Sequence, residues 1–366
     1  MIDLIKIRQD LHRIPELGFE EFKTTAYLSS ILEGINEITI YYFDFPGVLA
    51  VYSRGNGSYK LFRADMDALP ISEKTNCSFS SRHSGKMHAC GHDVHMTILL
   101  GLIDKVVHKR IKENLLFLFQ PAEEGMGGAE RILKTGILDR FKISNAFALH
   151  VSGSLPVGTI STKPGIFFAN TQEIEMKITG KSAHVAFPEH GRNALAAGAE
   201  FYLEIQKIVK SEFDRSDPVV CEFGKMRAGT VMNAIAAECT LEGTMRAFTL
   251  KNMKRIRKYI EELSLTLNKK YDVQFQQIYK SFYKQVTNES ALYEKLKYIA
   301  ADSGYDFVEA DAVFTGEDFG YYAEKYTGLL FWLGANQGEK QNLHSPNFLP
   351  SEKSIEIGVD LLYKMI

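Results

Sequence analysis

Short apolar runs that alternate with segments of helical spacing constrain the fold of this chain more than any other feature of its sequence. Each run has the length of a buried strand. A helix-like opening precedes the first run, and a helical stretch follows His95. Buried strands between helical stretches are typical of a parallel sheet with helices on both faces. The first part of the chain is therefore predicted to be an α/β domain, with strands at residues 47–52, 59–64, 114–120 and 146–151.

The sequence pattern changes near Ala169 and changes back after about Phe282. The segment between them shows alternating runs and two helical stretches in the β-α-β-β-α-β order of a ferredoxin-like domain. The later part again shows a helix, the apolar run 328–335 and a C-terminal helix. The simplest interpretation is a small domain inserted into a larger one, with the larger domain at residues 1–168 and 282–366 and the insert at 169–281.

The alternation within the insert is clearest at residues 239–248. Cys239, Leu241 and Met245 share one face of the predicted strand. Since successive side chains of a strand point to opposite faces, this apolar set is expected in a core. The opposite face carries polar and charged side chains, which are Thr240, Glu242, Thr244 and Arg246.

Composition and charge exclude several classes of protein. With 366 residues, 45% of them hydrophobic and 24% charged, the chain has the balance of a folded protein rather than of a disordered one. Its 43 basic and 45 acidic residues lack the basic excess that nucleic-acid binders usually show. The apolar runs are too short to span a bilayer, and the N-terminus does not have the pattern of a signal peptide. We therefore expect a cytoplasmic protein that binds neither nucleic acid nor membrane.

The densest group of metal-ligand side chains lies at residues 87–96, MHACGHDVHM, at the start of a predicted helix. A thiol, imidazoles and a carboxylate within eight positions favour a site for a transition metal. The alternative is structural, with Asp93 capping the helix and the histidines serving as hydrogen-bonded polar groups. The potential ligands in this group are His88, Cys90, His92, Asp93 and His95.

Two pairs of carboxylates follow predicted strands. Glu123 and Glu124 stand in QPAEEGMGG, and Asp65 and Asp67 stand in RADMDALP. Open α/β sheets place their sites at the carboxyl ends of strands. Two neighbouring carboxylates can also have different roles, because one can bind a metal while the other acts as a base. The structural alternative is a solvated loop for QPAEEGMGG and an Asp- and Pro-rich turn for RADMDALP.

Two single histidines complete the candidate site. His150 closes a predicted strand in ALHVSG, and His344 lies in a late loop, NLHSPN. A single histidine is more often structural than a ligand. The shared position of these two at a strand end or in a loop favours a joint site with the groups above.

Taken in order, these motifs resemble those of the dinuclear metal-dependent amidohydrolases, which include aminoacylases, hippurate hydrolases and auxin-conjugate hydrolases. MHACGHD together with PAEE is highly specific for that group. Within it the chain most resembles the N-acetyldiaminopimelate deacetylases, through its opening RQDLHRIPELGFEEFKT and its close TGEDFGYY…FWLG. The resemblance covers nearly the whole chain and rests on RADMDALPI, GKMHACGHDVHM, LFQPAEEG, ALHV, GKSAHVAFPEHGRNAL, TGEDFG and LHSPNF.

The resemblance implies an α/β fold in which a mixed-sheet, zinc-peptidase-like catalytic domain carries an inserted ferredoxin-like α+β domain as lid and dimer contact. It implies a homodimer through that insert and a small N-acyl amino acid as substrate. It also implies two divalent ions, which could be zinc, manganese, cobalt or nickel. The implied metal ligands are Cys90, His92, Glu124, His150 and His344.

Catalytic roles follow from the same resemblance. Glu123 is the expected base that activates water, although the roles of Glu123 and Glu124 are assigned only by their order. Alignment on DALP favours Asp67 as the aspartate that supports the site, with Asp65 as the alternative. His184, in SAH, is expected to stabilise the oxyanion, often from the neighbouring subunit. The positions that match binding of the substrate carboxylate are Asn233 and Arg246.

The implied reaction is hydrolysis of N-acetyl-L,L-2,6-diaminopimelate to acetate and diaminopimelate, on the acetylated route to lysine. Within the same class, a broad N-acyl-amino-acid amidohydrolase of the aminoacylase or hippurate hydrolase type and a dipeptidase are the alternatives. A relative that only binds acylated amino acids is a further alternative. Loss of a metal ligand would mark such a relative, and none of the five expected ligands is missing.

Overall fold

The computed structural model of the protein describes residues 2–366. The chain divides into two compact units. The larger unit contains the chain up to Phe167 together with Val286–Ala312 and Asp318–Ile366, and the smaller unit contains Phe168–Gln285 and Val313–Glu317. The predicted insert lies within the smaller unit. Its role as a lid and dimer contact stays a prediction.

Nine α-helices and fourteen strands occur among residues 2–366. The helices are α1 Leu4–His12, α2 Phe22–Leu32, α3 His92–Lys109, α4 Gly128–Lys134, α5 Ala194–Glu212, α6 Leu250–Tyr271, α7 Ser290–Asp302, α8 Gly320–Tyr326 and α9 Lys353–Lys364. The strands are β1 Thr39–Tyr42, β2 Val48–Tyr52, β3 Tyr59–Asp65, β4 Asn114–Gln120, β5 Ile143–Pro156, β6 Thr159–Thr162, β7 Gly165–Phe168, β8 Asn170–Thr179, β9 Val219–Ala228, β10 Glu238–Ala247, β11 Gln274–Tyr283, β12 Val286–Asn288, β13 Asp306–Glu309 and β14 Gly328–Asn336.

The larger unit is built on a ten-stranded sheet with the main order β1-β2-β4-β3-β5-β14-β12-β7. Its centre is parallel, because β3 pairs in parallel with β4 and β5, and β5 with β14. The first strands are antiparallel, and the strand pattern alone was therefore wrong in predicting a parallel sheet. The loop between β1 and β2 is too short for the crossover of about a dozen residues that parallel pairing needs. The mixed sheet implied by the family resemblance is confirmed.

Aromatic side chains and close-packed helices form the core of the larger unit. The ring of Phe62 stacks 6.1 Å from that of Phe117 and 5.1 Å from that of Phe147, each on a neighbouring strand. Helix α3 is buried along most of its length and packs against α9 and α1. A Cβ at Gly101 of α3 would lie 2.6 Å from Val359 of α9, so the absence of a side chain permits this close helix contact.

The smaller unit is a four-stranded antiparallel sheet with the order β11-β8-β10-β9, and its core packs helices α5 and α6 on the sheet. The predicted β-α-β-β-α-β order is confirmed, although the sequence did not locate β9. Cys239, Leu241 and Met245 are buried in the core of this unit, as the alternation predicts.

The described part of the chain contains no helix that is both long and apolar enough to cross a membrane. The cytoplasmic location stays a prediction.

Candidate metal centre

The start of helix α3 positions two of the predicted side chains. The helix begins at His92, earlier than the sequence predicted, and its N-cap is Gly91 rather than Asp93. His92 and His95 therefore both lie in the first turn of the helix. They share a face, because residues three positions apart lie on the same side of a helix. Both rings are buried.

Gly91 allows the chain to turn sharply between the predicted ligands Cys90 and His92. Its φ of +84° is in the left-handed region, which other residues rarely adopt. A Cβ at this position would lie 2.4 Å from a side-chain carbon of Val151. The MHACGHD motif thus needs glycine here for both backbone and packing reasons.

Two histidines present a ring nitrogen to the interior of the site. Nδ1 of His92 donates a hydrogen bond to the carbonyl of Asp67 at 2.8 Å, and Nδ1 of His150 donates to the carbonyl of Val151 at 2.8 Å. Nε2 of His92 is buried and has no hydrogen-bond partner among the described residues. Proteins orient histidine ligands in this way, because a hydrogen bond from one ring nitrogen to an oxygen atom leaves the other nitrogen available to a metal. His150 lies within β5, not at a strand end as predicted.

A thiol, a third imidazole and a carboxylate converge beside this pair. The sulfur of Cys90 lies 3.3 Å from Nε2 of His150 and 3.4 Å from Nε2 of His344. Nε2 of His344 lies 3.2 Å from Oε1 of Glu124. The loop that carries His344 is tied to the site because its backbone N–H donates to the carbonyl of Ala89 at 2.9 Å. The structure thus brings together four predicted ligands from four separate segments of the chain.

The two predicted aspartates have different contacts. Oδ2 of Asp67 accepts the backbone N–H of Glu124 at 2.8 Å, and its Oδ1 lies 3.3 Å from Nδ1 of His92. Asp65 accepts hydrogen bonds from His95 at 2.6 Å and from Arg63 at 2.7 Å, and its Oδ1 lies 3.8 Å from Nε2 of His92. Both aspartates therefore face His92, and Asp67 also holds the backbone of Glu124, which favours Asp67 as the supporting aspartate.

His95 belongs to the same cluster, yet both of its ring nitrogens are engaged. Nδ1 donates to Asp65, and Nε2 accepts the backbone N–H of Val151 at 2.9 Å. Although His95 lies close to Asp65, His92 and His150, neither nitrogen keeps a free lone pair. We therefore interpret His95 as a residue that orients Asp65 and β5 rather than as a ligand.

Glu123 is buried, with 6% of its surface exposed, and groups closely with His92 and Glu124. The residue before it, Ala122, has a φ of +56°, which is unusual for a residue with a side chain. Oε1 of buried Glu21 accepts the N–H of Ala122 at 2.9 Å. Glu21 therefore helps hold the turn that presents Glu123. Glu21 belongs to the opening motif RQDLHRIPELGFEEFKT, but no pattern in the sequence predicts its role.

A buried charged network that the sequence did not predict lies behind the site. Arg63 donates to Asp65, to Asp318 at 2.7 Å and to Gln120 at 3.0 Å. Asp318 further accepts the N–H of Ala129 at 2.9 Å. Arg63 lies in RADMDALP and Asp318 lies in TGEDFG, and both motifs belong to the family resemblance. The charged residues within these motifs were the available signal for the network.

The electrostatics of the cluster favour a bound cation. Burial alone would lower the pKa of His92, but the carboxylates of Asp65 and Asp67 outweigh it and raise that pKa to about 10. Burial, reinforced by Glu124, raises the pKa of the Cys90 thiol well above its usual range. A divalent ion would offset this negative charge, and nitrogen, sulfur and carboxylate donors suit transition metals. The residues present therefore fit a metal centre.

The remaining predicted residues lie in the smaller unit. His184 is exposed, its Nδ1 accepts the N–H of Ala186 at 3.1 Å, and it forms an isolated β-bridge with Ala234, next to Asn233. The structure thus brings His184 and Asn233 together. Arg246 is half-buried and donates from one guanidinium nitrogen to the carbonyl of Phe314 at 2.8 Å, and burial lowers its pKa.

The sequence as a whole defines the class of protein to which the chain belongs. Residues 61–366 match the model of peptidase family M20/M25/M40. The chain is a member of this family, as its motifs predicted.

Particular relatives are similar over nearly the full length. The N-acetyldiaminopimelate deacetylases of Bacillus pumilus and Bacillus subtilis are each 42% identical to this chain, over 362 and 363 residues, which is 98% of this chain and 96% of each relative. The crystal structure of the Bacillus subtilis YXEP protein, a dinuclear metal binding peptidase of the M20 family, is 31% identical with a TM-score of 0.84. That match covers 99% of this chain and 96% of the other.

The contacts of Glu21 predict a pH-dependent effect on stability. Burial, with a contribution from Asp67, raises the pKa of Glu21 to about 8 from its ordinary value of 4.5. Because the folded pKa is the higher one, the stability that Glu21 contributes is full below about pH 4.5 and is lost as the pH rises through about 8. Glu21→Gln keeps an acceptor for Ala122 and cannot ionise, so its free energy of unfolding should rise relative to wild type between pH 6 and pH 9.

Chemical denaturation of both proteins at the two pH values measures this change. Glu20→Gln is the matched control, since Glu20 is exposed and precedes Glu21 directly. A difference between Glu21→Gln and wild type that is equal at pH 6 and pH 9 would contradict the raised pKa.

Proposed function

We propose that this chain hydrolyses N-acetyl-L,L-2,6-diaminopimelate to acetate and diaminopimelate, in the acetylated branch of lysine biosynthesis. The observation that carries the proposal is 42% identity over 98% of the chain to relatives named for this deacetylation. Every position of the family's expected ligand set is occupied by a suitable side chain, and the described residues bring four of them into one cluster.

The residues that would hold two divalent ions are Cys90, His92, Glu124, His150 and His344. The similarity to a dinuclear metal-binding peptidase of the same family supports this number of ions. Zinc, manganese, cobalt and nickel all suit this mixture of donors. When bound, such ions acidify water and polarise the carbonyl of the scissile amide.

Glu123 would act as the base. It is buried beside His92 and Glu124, directly after the turn at Ala122. It would take a proton from the attacking water and return it to the leaving amine, as a general base that then serves as the acid. Glu124 would serve as a ligand, because its carboxylate contacts His344 and its backbone is held by Asp67.

Residues of the smaller unit would complete the reaction. The exposed ring of His184 would donate a hydrogen bond to the oxyanion, an interaction that acts mainly in the transition state. Arg246 keeps further guanidinium N–H groups beyond the one bonded to Phe314, and a planar fork suits a carboxylate. Asn233, which lies beside His184, would contribute an amide to the same carboxylate.

We also propose that the smaller unit pairs with a second copy of the chain. Val185, Leu195, Val231 and Met232 are large apolar side chains at its surface, and Met232 is fully exposed. They line a shallow cavity of about 500 Å³. Exposed apolar groups in one patch are typical of protein interfaces.

Charge placed in this patch should separate the subunits. Met232→Asp is expected to sediment as a monomer at concentrations where the wild type sediments as a dimer, because a carboxylate would be buried without a partner. Tyr298→Asp, which alters a large exposed side chain on α7 of the larger unit, is the control and should remain dimeric. A monomeric wild type would refute this interface.

The adjacent glutamates can be distinguished by measuring metal content and turnover together. Glu123→Gln keeps the shape of the side chain but removes the proton acceptor, so turnover should fall by a factor of about 10²–10⁴ while bound metal is retained. Glu124→Gln should lose metal, since a carboxylate ligand becomes a neutral amide. Metal loss in the first variant with full metal content in the second would reverse the two roles.

The substrate is tested by comparing kcat/KM for N-acetyl-L,L-diaminopimelate, N-acetyl-leucine and hippurate on the metal-reconstituted protein. A site built to hydrogen-bond a distal amino acid leaves polar groups unpaired when the substrate lacks one. We expect the first substrate to be preferred by a factor of about 10² or more. Equal efficiency on all three would indicate a broad aminoacylase, and a preference for hippurate would exclude the deacetylase.

A further inference from the structure

A second group of metal-ligand side chains converges in the larger unit, and the reaction above makes no use of it. Nε2 of His12 lies 3.3 Å from Oε1 of Glu73, and the sulfur of Cys77 lies 3.7 Å from the same oxygen. The three ligand atoms all lie within 4.8 Å of one another. His12 comes from α1, whereas Glu73 and Cys77 come from the irregular segment between β3 and α3.

These separations match the edges of a tetrahedral zinc site. Zinc binds nitrogen and oxygen at about 2.0–2.2 Å and sulfur at about 2.3 Å. Tetrahedral angles then place nitrogen and oxygen about 3.4 Å apart and sulfur and oxygen about 3.6 Å apart. The His12–Glu73 and Cys77–Glu73 distances of 3.3 and 3.7 Å are close to these values.

Neighbouring groups orient two of the three side chains. Nδ1 of His12 contacts a carboxylate oxygen of Asp93 at 2.8 Å, and the same oxygen pairs with Arg8 at 3.0 Å. A carboxylate behind a histidine is the usual support for a metal-bound imidazole, and here it leaves Nε2 directed toward Glu73. Oε2 of Glu73 accepts the N–H of Ser81 at 2.6 Å, and Oε1, which faces the cluster, also accepts the hydroxyl of Thr75.

The surroundings of the cluster hold an unsatisfied polar group. His88 is 1% exposed, its ring lies 6.4 Å from that of His12, and neither of its nitrogens has a hydrogen-bond partner among the described residues. Buried polar atoms without partners in a folded protein often mark an ion or water. Cys77 is only partly buried, so an ion could reach the cluster from solvent.

We propose that His12, Glu73 and Cys77 bind a third divalent ion of the zinc type, separate from the two ions proposed for catalysis. The set of one imidazole, one carboxylate and one thiolate suits zinc or cobalt and leaves a fourth position for water. Its role would be structural, because it would tie the segment after β3 to α1.

Metal content per chain tests this site without any measurement of activity. Protein loaded with Zn²⁺ and passed through gel filtration should retain three equivalents, and Cys77→Ser should retain two. Cys221→Ala is the matched control, because it removes a buried cysteine of the smaller unit and should retain three. With Co²⁺ in place of Zn²⁺, the sulfur-to-cobalt charge-transfer absorption should decrease in Cys77→Ser and not in Cys221→Ala.

Two results would overturn the site. Two equivalents of Zn²⁺ in the wild type would mean that the cluster is only hydrogen-bonded, and this reading stands even if Cys77→Ser fails to fold. Three equivalents in Cys77→Ser would place the third ion elsewhere. Neither result affects the proposed deacetylation, which is measured by turnover and depends on Cys90 and the other ligands of the first site.

Discussion

The buried guanidinium of Arg63 connects the segments that surround the metal centre at the carboxyl end of β3. Arg63 donates to Asp65 two residues away and to Asp318, which is 255 residues away in the chain. An unpaired charge in the interior costs several kcal/mol, so these groups must be buried together or not at all. Asp65 extends the contact to His95, whose ring accepts the N–H of Val151 directly after His150. The position of one predicted ligand therefore depends on this ion pair.

The site also concentrates unusual backbone conformations. Three residues of the site have positive φ values, which are Gly91, Ala122 and His344. His344 is itself a predicted ligand, Gly91 lies between two predicted ligands, and Ala122 precedes the predicted base. Such conformations cost about 1–3 kcal/mol each in residues with a side chain and persist only where other contacts enforce them. Glu21 supplies that contact for Ala122, and the carbonyl of Ala89 supplies it for His344. Tight turns bring side chains from separate segments to one point.

The sequence predicted the central strands of the larger unit, because each depends on a local pattern. The assignment of individual metal ligands stays a prediction. Strand β4 was predicted at its observed bounds, and the two faces of β10 were assigned correctly. The pairing of Arg63 with Asp318 is a long-range contact that no local pattern reports. His95 illustrates a different limit, since its residue type is that of a ligand and only its hydrogen bonds to Asp65 and Val151 show that both nitrogens are occupied.

One turn of helix serves two separate polar clusters. Consecutive residues of an α-helix point about 100° apart, so His92 and Asp93 face different sides of α3. His92 faces Asp67 and the metal centre, and Asp93 faces His12 and Arg8. Arg8 and His12 therefore contribute to the first site indirectly, because they neutralise the charge that adjoins His92. This explains why the opening helix buries two polar side chains that its apolar spacing alone would not place inside.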